Sequence, residues 1–262
     1  SGKALDHVNS EKWSLRVKLK NDKTILGMRK FNLLHPKIRN GIYEWFCHKI
    51  SMSEGLIALR TDYVSISING KYNGIYFLEE SFDKHLIENN RHREGIIFKP
   101  TVPELHLFQM EKILSNPVLK NNAALLDRLF DEFLSGMLPP HKFFDIEKTA
   151  KYFAITDLVN GFHQLARENM HWYFNPLSGR IEPIGREWGV RPYIPLTELS
   201  GELINGQFIG DRGIINEKIF SDEIFFTKYM EELERISDAS YLDDFFEKNS
   251  AEIESNLVMI YK

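Results

Sequence analysis

One cysteine, Cys47, stands among 262 residues, which excludes an internal disulfide framework and a cysteine-based zinc site. No apolar run approaches the ~18 to 20 residues that a bilayer-crossing helix requires. A basic excess is also missing: 33 Lys+Arg against 37 Asp+Glu give a formal net charge of −4. That balance argues against a general nucleic-acid binder. The phosphate loop GxxxxGK[ST], the dinucleotide fingerprint GxGxxG and the hydrolase elbow GxSxG are all absent. His141, His163 and His171 lack the HExxH spacing of a zinc hydrolase. No internal repeat or low-complexity segment occurs. The sequence opens on Ser1-Gly2 rather than Met. We expect this pair to be a cloning remnant and the natural start to lie upstream, so the compartment is not read from the chain.

What is present is the composition of a folded protein, 43% hydrophobic and 27% charged, with length enough for one large domain or two modest lobes. The first hundred residues read mainly as β. Leu15, Val17 and Leu19 alternate with Arg16, Lys18 and Lys20, the period of a half-buried strand. Residues 21–23 are turn chemistry, and 24–34 resume as a second strand. After Pro36 the period becomes helical, with Ile42, Trp45, Phe46 and Ile50 near one face and Glu44 and His48 a turn apart beside it. Val64, Ile66 and Ile68 alternate again, Asn69-Gly70 is a hairpin turn, and residues 95–100 form a last short strand. From residue 101 the chain reads as helical. Helices are expected over 104–114, 121–134, 145–165, 217–236 and about 241–261, with a side-chain N-cap at Asp145 and a long loop over 197–213. The fold class is therefore α+β, a β-rich lobe with one helix (1–100) followed by a helical lobe (101–262).

The polar residues richest in chemical meaning lie between Asp157 and Trp188. Asp157, His163, Arg167, Glu168, Asn169, Arg186 and Glu187 sit there among apolar and aromatic neighbours, where unpaired burial costs several kcal/mol. If the segment starts as a helix, Ile155, Val159, Phe162 and Ala166 face the core, and Asp157, Asn160 and Gln164 share the other side. Residues 170–174 and 180–184 then make a hairpin whose far end carries Glu187, near Asn169 across the ladder. An acid, an amide and a second acid in that order suit a base and oxygen ligands for a divalent metal. The plainer alternative is a helix and hairpin with solvated polar faces. Arg29 and Lys30 on a strand before a helix with Glu44 can hold a cation against phosphates, yet such groups are more often a solvated face. Glu79, Glu80 and Lys99 fall where two lobes would meet. On spacing alone they read as surface ion pairs, worth little, with ligand contact the other reading.

These pieces together resemble the CotH-type kinases, an atypical kinase family. The resemblance rests on GMRKFNL, the helix with Glu44, YVSISINGKYNGIYFLEESFDKHL, GIIFKP, DLVNGFH…ENMHWYFNPLSGRIEPI and KIFSDEIFFTKYMEELERIS, and so spans nearly the whole chain. It implies a bilobal kinase-like fold that binds ATP with Mg²⁺ or Mn²⁺ and transfers phosphate to Ser or Thr of a protein substrate. By motif, Lys30 (or Arg29) would meet the phosphates and Glu44 would orient it. Asp157 would be the catalytic acid, Asn169 a metal-binding amide, and Glu79 would lie in the lobe-linking segment near the adenine. Glu187 stands where related sequences place a metal-binding aspartate. Its extra methylene moves the carboxylate by roughly 1 Å, which matters to an ion that demands near-octahedral geometry. Two other functions remain open on this reading: a pseudokinase serving as a binding or scaffolding module, and a kinase-fold enzyme transferring AMP or activating a carboxylate. The 13% aromatic content raises a coat-type structural protein as a third, although most of those residues sit at core-like periodic positions.

Overall fold

Alternation places the first strand where the sequence predicts it. The computed structural model describes residues 12–21, 23–165, 169–190, 192, 199–200 and 213–261. Within them the order is β1 (Leu15–Lys18), β2 (Lys30–Leu34), a 3₁₀ turn (Pro36–Arg39), α1 (Tyr43–Ser53), β3 (Thr61–Ile68), β4 (Lys71–Glu80) and α2 (Lys84–Asn89). Next come β5 (Ile96–Thr101), β6 (Glu104–Leu107), α3 (Met110–Ser115), α4 (Pro117–Ser135), α5 (Pro140–Phe143) and α6 (Ile146–Leu158). A second 3₁₀ turn (Phe162–Leu165), β7 (His171–Asn175), β8 (Arg180–Ile184), α7 (Gly213–Phe220), α8 (Glu223–Ser237) and α9 (Ala239–Tyr261) complete it. The class is α+β, with two antiparallel four-stranded sheets ordered β1-β2-β4-β3 and β6-β5-β7-β8.

In the first sheet, α1 lies against one face through Leu34, Ile42, Trp45, Tyr63 and Phe77. Leu15, Val17, Phe31, Leu33, Tyr76 and Leu78 gather in a separate cluster, as the two-residue side-chain period requires. The Asn69-Gly70 turn holds, both residues adopting positive φ (51° and 79°), as a type I′ hairpin needs. The second sheet packs on α4, α5, α6 and α8 through the main core, which includes Phe98, Phe130, Phe133, Phe144, Phe153, Trp172 and Phe225. Strand β5, assigned by sequence to the first lobe, pairs with β7 of the second half (Ile96↔Phe174, Phe98↔Trp172).

Four expectations change. The strand predicted from residue 24 begins only at Lys30, because Ile25 and Met28 close a tight turn with Leu26 and Gly27 at positive φ. The helix predicted over 104–114 is a strand up to Leu107, since Glu104 and His106 alternate with Leu105 and Leu107 and pair with β5. The helix predicted to 165 stops at Leu158, where Asn160 turns left-handed (φ 49°) and the Gly161 amide reaches back to Thr156 O at 2.8 Å. Asp222 breaks the fourth predicted helix by capping Ile224 N and Phe225 N. The Asp145 cap holds, accepting from Lys148 N. Ala166, Arg167, Glu168 and most of the predicted 197–213 loop lie outside the described residues.

Candidate functional site

Glu79 closes β4, where the sheet, the Pro36–Arg39 turn and the segment after β8 converge. Its side chain is fully buried. One oxygen accepts from Arg39 Nε at 2.7 Å, and the other from Arg186 Nε at 3.0 Å and Nη2 at 2.8 Å. Asn32, its cross-strand neighbour on β2, adds a long contact of 3.5 Å. Burial by itself would raise the Glu79 carboxyl, but the Arg186 and Arg39 guanidiniums outweigh it and hold the group well below the usual carboxylate range. Burial likewise opposes the charge on Arg39, and Glu79 and Glu187 reverse that, raising it above its ordinary value. Glu80, read by sequence with Glu79 as a surface pair, is buried too. It binds Arg60 Nε at 3.0 Å and makes a second, close pairing to Nη2. The surface-pair reading fails for both acids for one reason: the strand end carrying them is covered by neighbouring elements rather than by water.

Glu187 joins the same network. Its Oε1 takes Arg39 Nη2 at 2.9 Å and lies 3.0 Å from Arg186 Nη2. The residue sits at φ 57°, a region that disfavours side-chain-bearing residues, and Glu44 supports it from the first turn of α1. The Glu44 carboxylate accepts from the Glu187 amide at 2.6 Å and the Trp188 amide at 3.1 Å. Trp188 is fully buried, and a Cβ on Gly185 would come within 2.4 Å of its ring. Asn40, left-handed at the end of the 3₁₀ turn, fixes the next stretch through Nδ2 to Val190 O at 3.1 Å.

Asn169 borders this cluster. Its Nδ2 donates to His163 O at 3.0 Å, and His163 N donates to Trp188 O at 3.2 Å. Two hydrogen bonds thus connect it to the residue after Glu187. Because the Asn169 carbonyl can only accept, Nδ1 of His171 carries the proton in their 2.6 Å bond. The His171 ring is buried and stacks on Phe82 at 4.4 Å. Burial, and then Arg186, push its pKa down to about 3, and Lys99 is close enough to add to the effect.

The fold therefore brings Glu44, Glu79 and Glu187 together, with Asn169 and Lys99 at the border. Lys30 occupies the same face of β2 as Asn32, two residues away. Arg29 precedes β2, where its carbonyl accepts from Leu19 N. The expectation that Glu44 orients Lys30 or Arg29 is not met: Glu44 binds the two amides and lies 3.5 Å from His48 Nε2. Asp157 is elsewhere, at the end of α6. Its oxygens accept from Ser200 N (2.8 Å), Ser200 Oγ (2.7 Å) and Tyr229 Oη (2.6 Å). It forms part of the wall of a cleft of about 1130 Å³ that runs along α8 past Phe226 and Met230, away from the arginine network. Arg39 was invisible as a site residue in sequence, being one cation in a basic turn, and Arg186 belonged to the polar cluster without a role.

Residues 6–132, just under half of the chain, match a family model. The family is CotH kinase protein. The resemblance read from the sequence is thus borne out over this portion, which holds Lys30, Arg39, Glu44, Glu79 and Lys99, while Asp157, Asn169, Arg186 and Glu187 lie beyond it. No curated protein matches the chain. A match to a kinase family model suggests ATP and a divalent metal in general. The residues at Glu187 do not fit a divalent ion as they stand. Two guanidiniums share its Oε1, the two carboxylates are already balanced by the two arginines, and Asn169 brings only a neutral oxygen. Among the described residues no group of three His, Cys, Asp or Glu side chains is disposed to hold a metal.

Proposed function

We propose that this chain is a kinase-like, bilobal protein that binds ATP where the end of β4, α1 and the segment after β8 meet. The observation that carries this reading is the cationic clamp of Arg39 and Arg186 around Glu79 and Glu187, beside Lys30 and Lys99. Its acids hold two guanidiniums fixed, and fixed guanidiniums recognise phosphate oxygens. Glu79, at the end of β4, and the adjacent Phe82–His171 stack would border the base, and Lys30 and Lys99 would face the phosphates.

Phosphoryl transfer to protein Ser or Thr is the enzymatic form of this proposal. A specific observation favours the second form, a pseudokinase that binds nucleotide and serves as an interaction module: Asp157 has both carboxylate oxygens engaged by hydroxyl and amide donors, leaving it an anchor rather than a base within reach of a substrate hydroxyl. One experiment separates the forms. ATP should raise the thermal midpoint of the protein, and parallel incubations with α- and γ-labelled ATP report AMP or phosphate transfer to the chain or to a generic protein substrate. Stabilisation without label supports the pseudokinase, γ-label the kinase and α-label AMP transfer. The absence of any ATP effect refutes the nucleotide reading.

A further inference from the structure

Resting on that nucleotide reading, we propose that Arg39 and Arg186 supply the positive charge a divalent cation would bring, so that the chain binds the phosphates of ATP without a metal ion. The clamp is complete before a ligand arrives. Arg39 uses Nε on Glu79 and Nη2 on Glu187, and Arg186 uses Nε and Nη2 on Glu79 with Nη2 also near Glu187. Among the described residues, the Nη1 group of each guanidinium makes no hydrogen bond, which leaves two paired N–H donors for an incoming anion. Arg186 is further held with its guanidinium over the Phe82 ring, 5.5 Å from the centroid. A guanidinium remains charged at every working pH, and its planar fork matches phosphate oxygens.

A dication at the same place would meet the opposite conditions. It would compete with both guanidiniums for Glu187 Oε1, with Oε2 the one oxygen of that carboxylate left to ligate it. Magnesium bound through so few protein oxygens relies on carboxylate charge, and here that charge is already neutralised. Strand β2 carries Lys30 and β5 carries Lys99, so four cations stand against the three carboxylates of Glu44, Glu79 and Glu187.

The test is titration calorimetry of the whole chain with ATP in EDTA, and again with MgCl₂ or MnCl₂. The dissociation constant should agree within about threefold between the buffers. Arg186→Gln is the informative variant, because Arg186 is more exposed than Arg39 and the glutamine amide can still donate to Glu79. It should weaken metal-free binding by about tenfold or more while circular dichroism reports an intact fold, and added Mg²⁺ should recover part of the loss. Binding of ATP by the unaltered chain only when a cation is present overturns this inference and leaves the nucleotide reading standing. Metal-free binding unaffected by Arg186→Gln also overturns it. Binding in neither buffer overturns both.

Discussion

Glu44 accepts the two consecutive amides of Glu187 and Trp188, at 2.6 and 3.1 Å, and thereby ties the first turn of α1 to the segment that follows β8. The contact spans more than half the chain, and it fixes a residue whose backbone lies in the left-handed region. Removing the carboxylate leaves two buried donors without partners. Glu44→Ala should cost roughly 2–4 kcal/mol of stability, measured by urea denaturation. Glu44→Gln, which keeps one acceptor oxygen, should cost less.

Glu79 is a buried charge held by two cations, the arrangement in which loss of one partner is most damaging. Arg39→Ala should destabilise by roughly 3–5 kcal/mol. Pairing it with Glu79→Gln in a double-mutant cycle should recover part of that cost, because the double variant no longer buries an uncompensated carboxylate. Purely additive losses would show that the two residues are not coupled.

His171 should remain neutral through physiological pH, its pKa pushed down to about 3 by burial and by Arg186. The unfolded chain binds a proton near pH 6.5 and the folded chain does not, so this residue stabilises the fold above that value. The contribution falls away as pH drops from about 6.5 towards 3. Urea midpoints should therefore decline below pH 6.5, and His171→Phe should flatten that part of the curve. Nuclear magnetic resonance of the ring should detect no protonation between pH 5 and 8.

Glu182 forms a second buried ionic knot, with His92 Nε2 at 2.8 Å, Lys148 Nζ at 2.7 Å and Asn175 Nδ2 at 2.8 Å. Burial would raise its carboxyl, but bonds to His92, Lys148 and Asn175 bring it to about 2. Its stabilisation is full above the unfolded value of 4.5 and is lost as pH falls from there towards 2. Glu182→Gln should accordingly destabilise at neutral pH and lose most of that penalty near pH 2, as followed by chemical denaturation.

Asp157→Asn distinguishes an anchor from a reacting group. An anchor predicts a stability loss of roughly 1–3 kcal/mol from disturbed bonds to Ser200 and Tyr229, with ATP affinity unchanged. A fall in labelled-phosphate transfer without a fall in stability would instead restore Asp157 as the catalytic acid.

Local pattern revealed most of the elements and few of the contacts. Period-two alternation placed β1 and β3, two short apolar runs about a turn placed the β7–β8 hairpin, and the Asp145 cap marked the start of α6, since each signal is local. Residues 104–107 were misread because four alternating residues fit a helical stretch as readily as a strand, and only pairing with β5 decides between them. The site was legible in part for the same reason. Glu187 stood out as an acid in apolar company while Glu79 read as a surface ion pair, and the partners these two share, Arg39 and Arg186, are 147 positions apart in sequence and meet only through tertiary folding. Spacing carries no information about such a meeting.

The pairing of β5 with β7 sets a lower bound on what can fold by itself. A fragment cut at residue 132, where the family match ends, would keep β5 but lose the strand that covers its other edge. It would expose Ile96 and Phe98 and leave Glu79 with half its countercharge. The matched stretch of the chain is thus not a unit of folding. Expressed alone, it should emerge as an aggregating edge rather than as a smaller version of the protein.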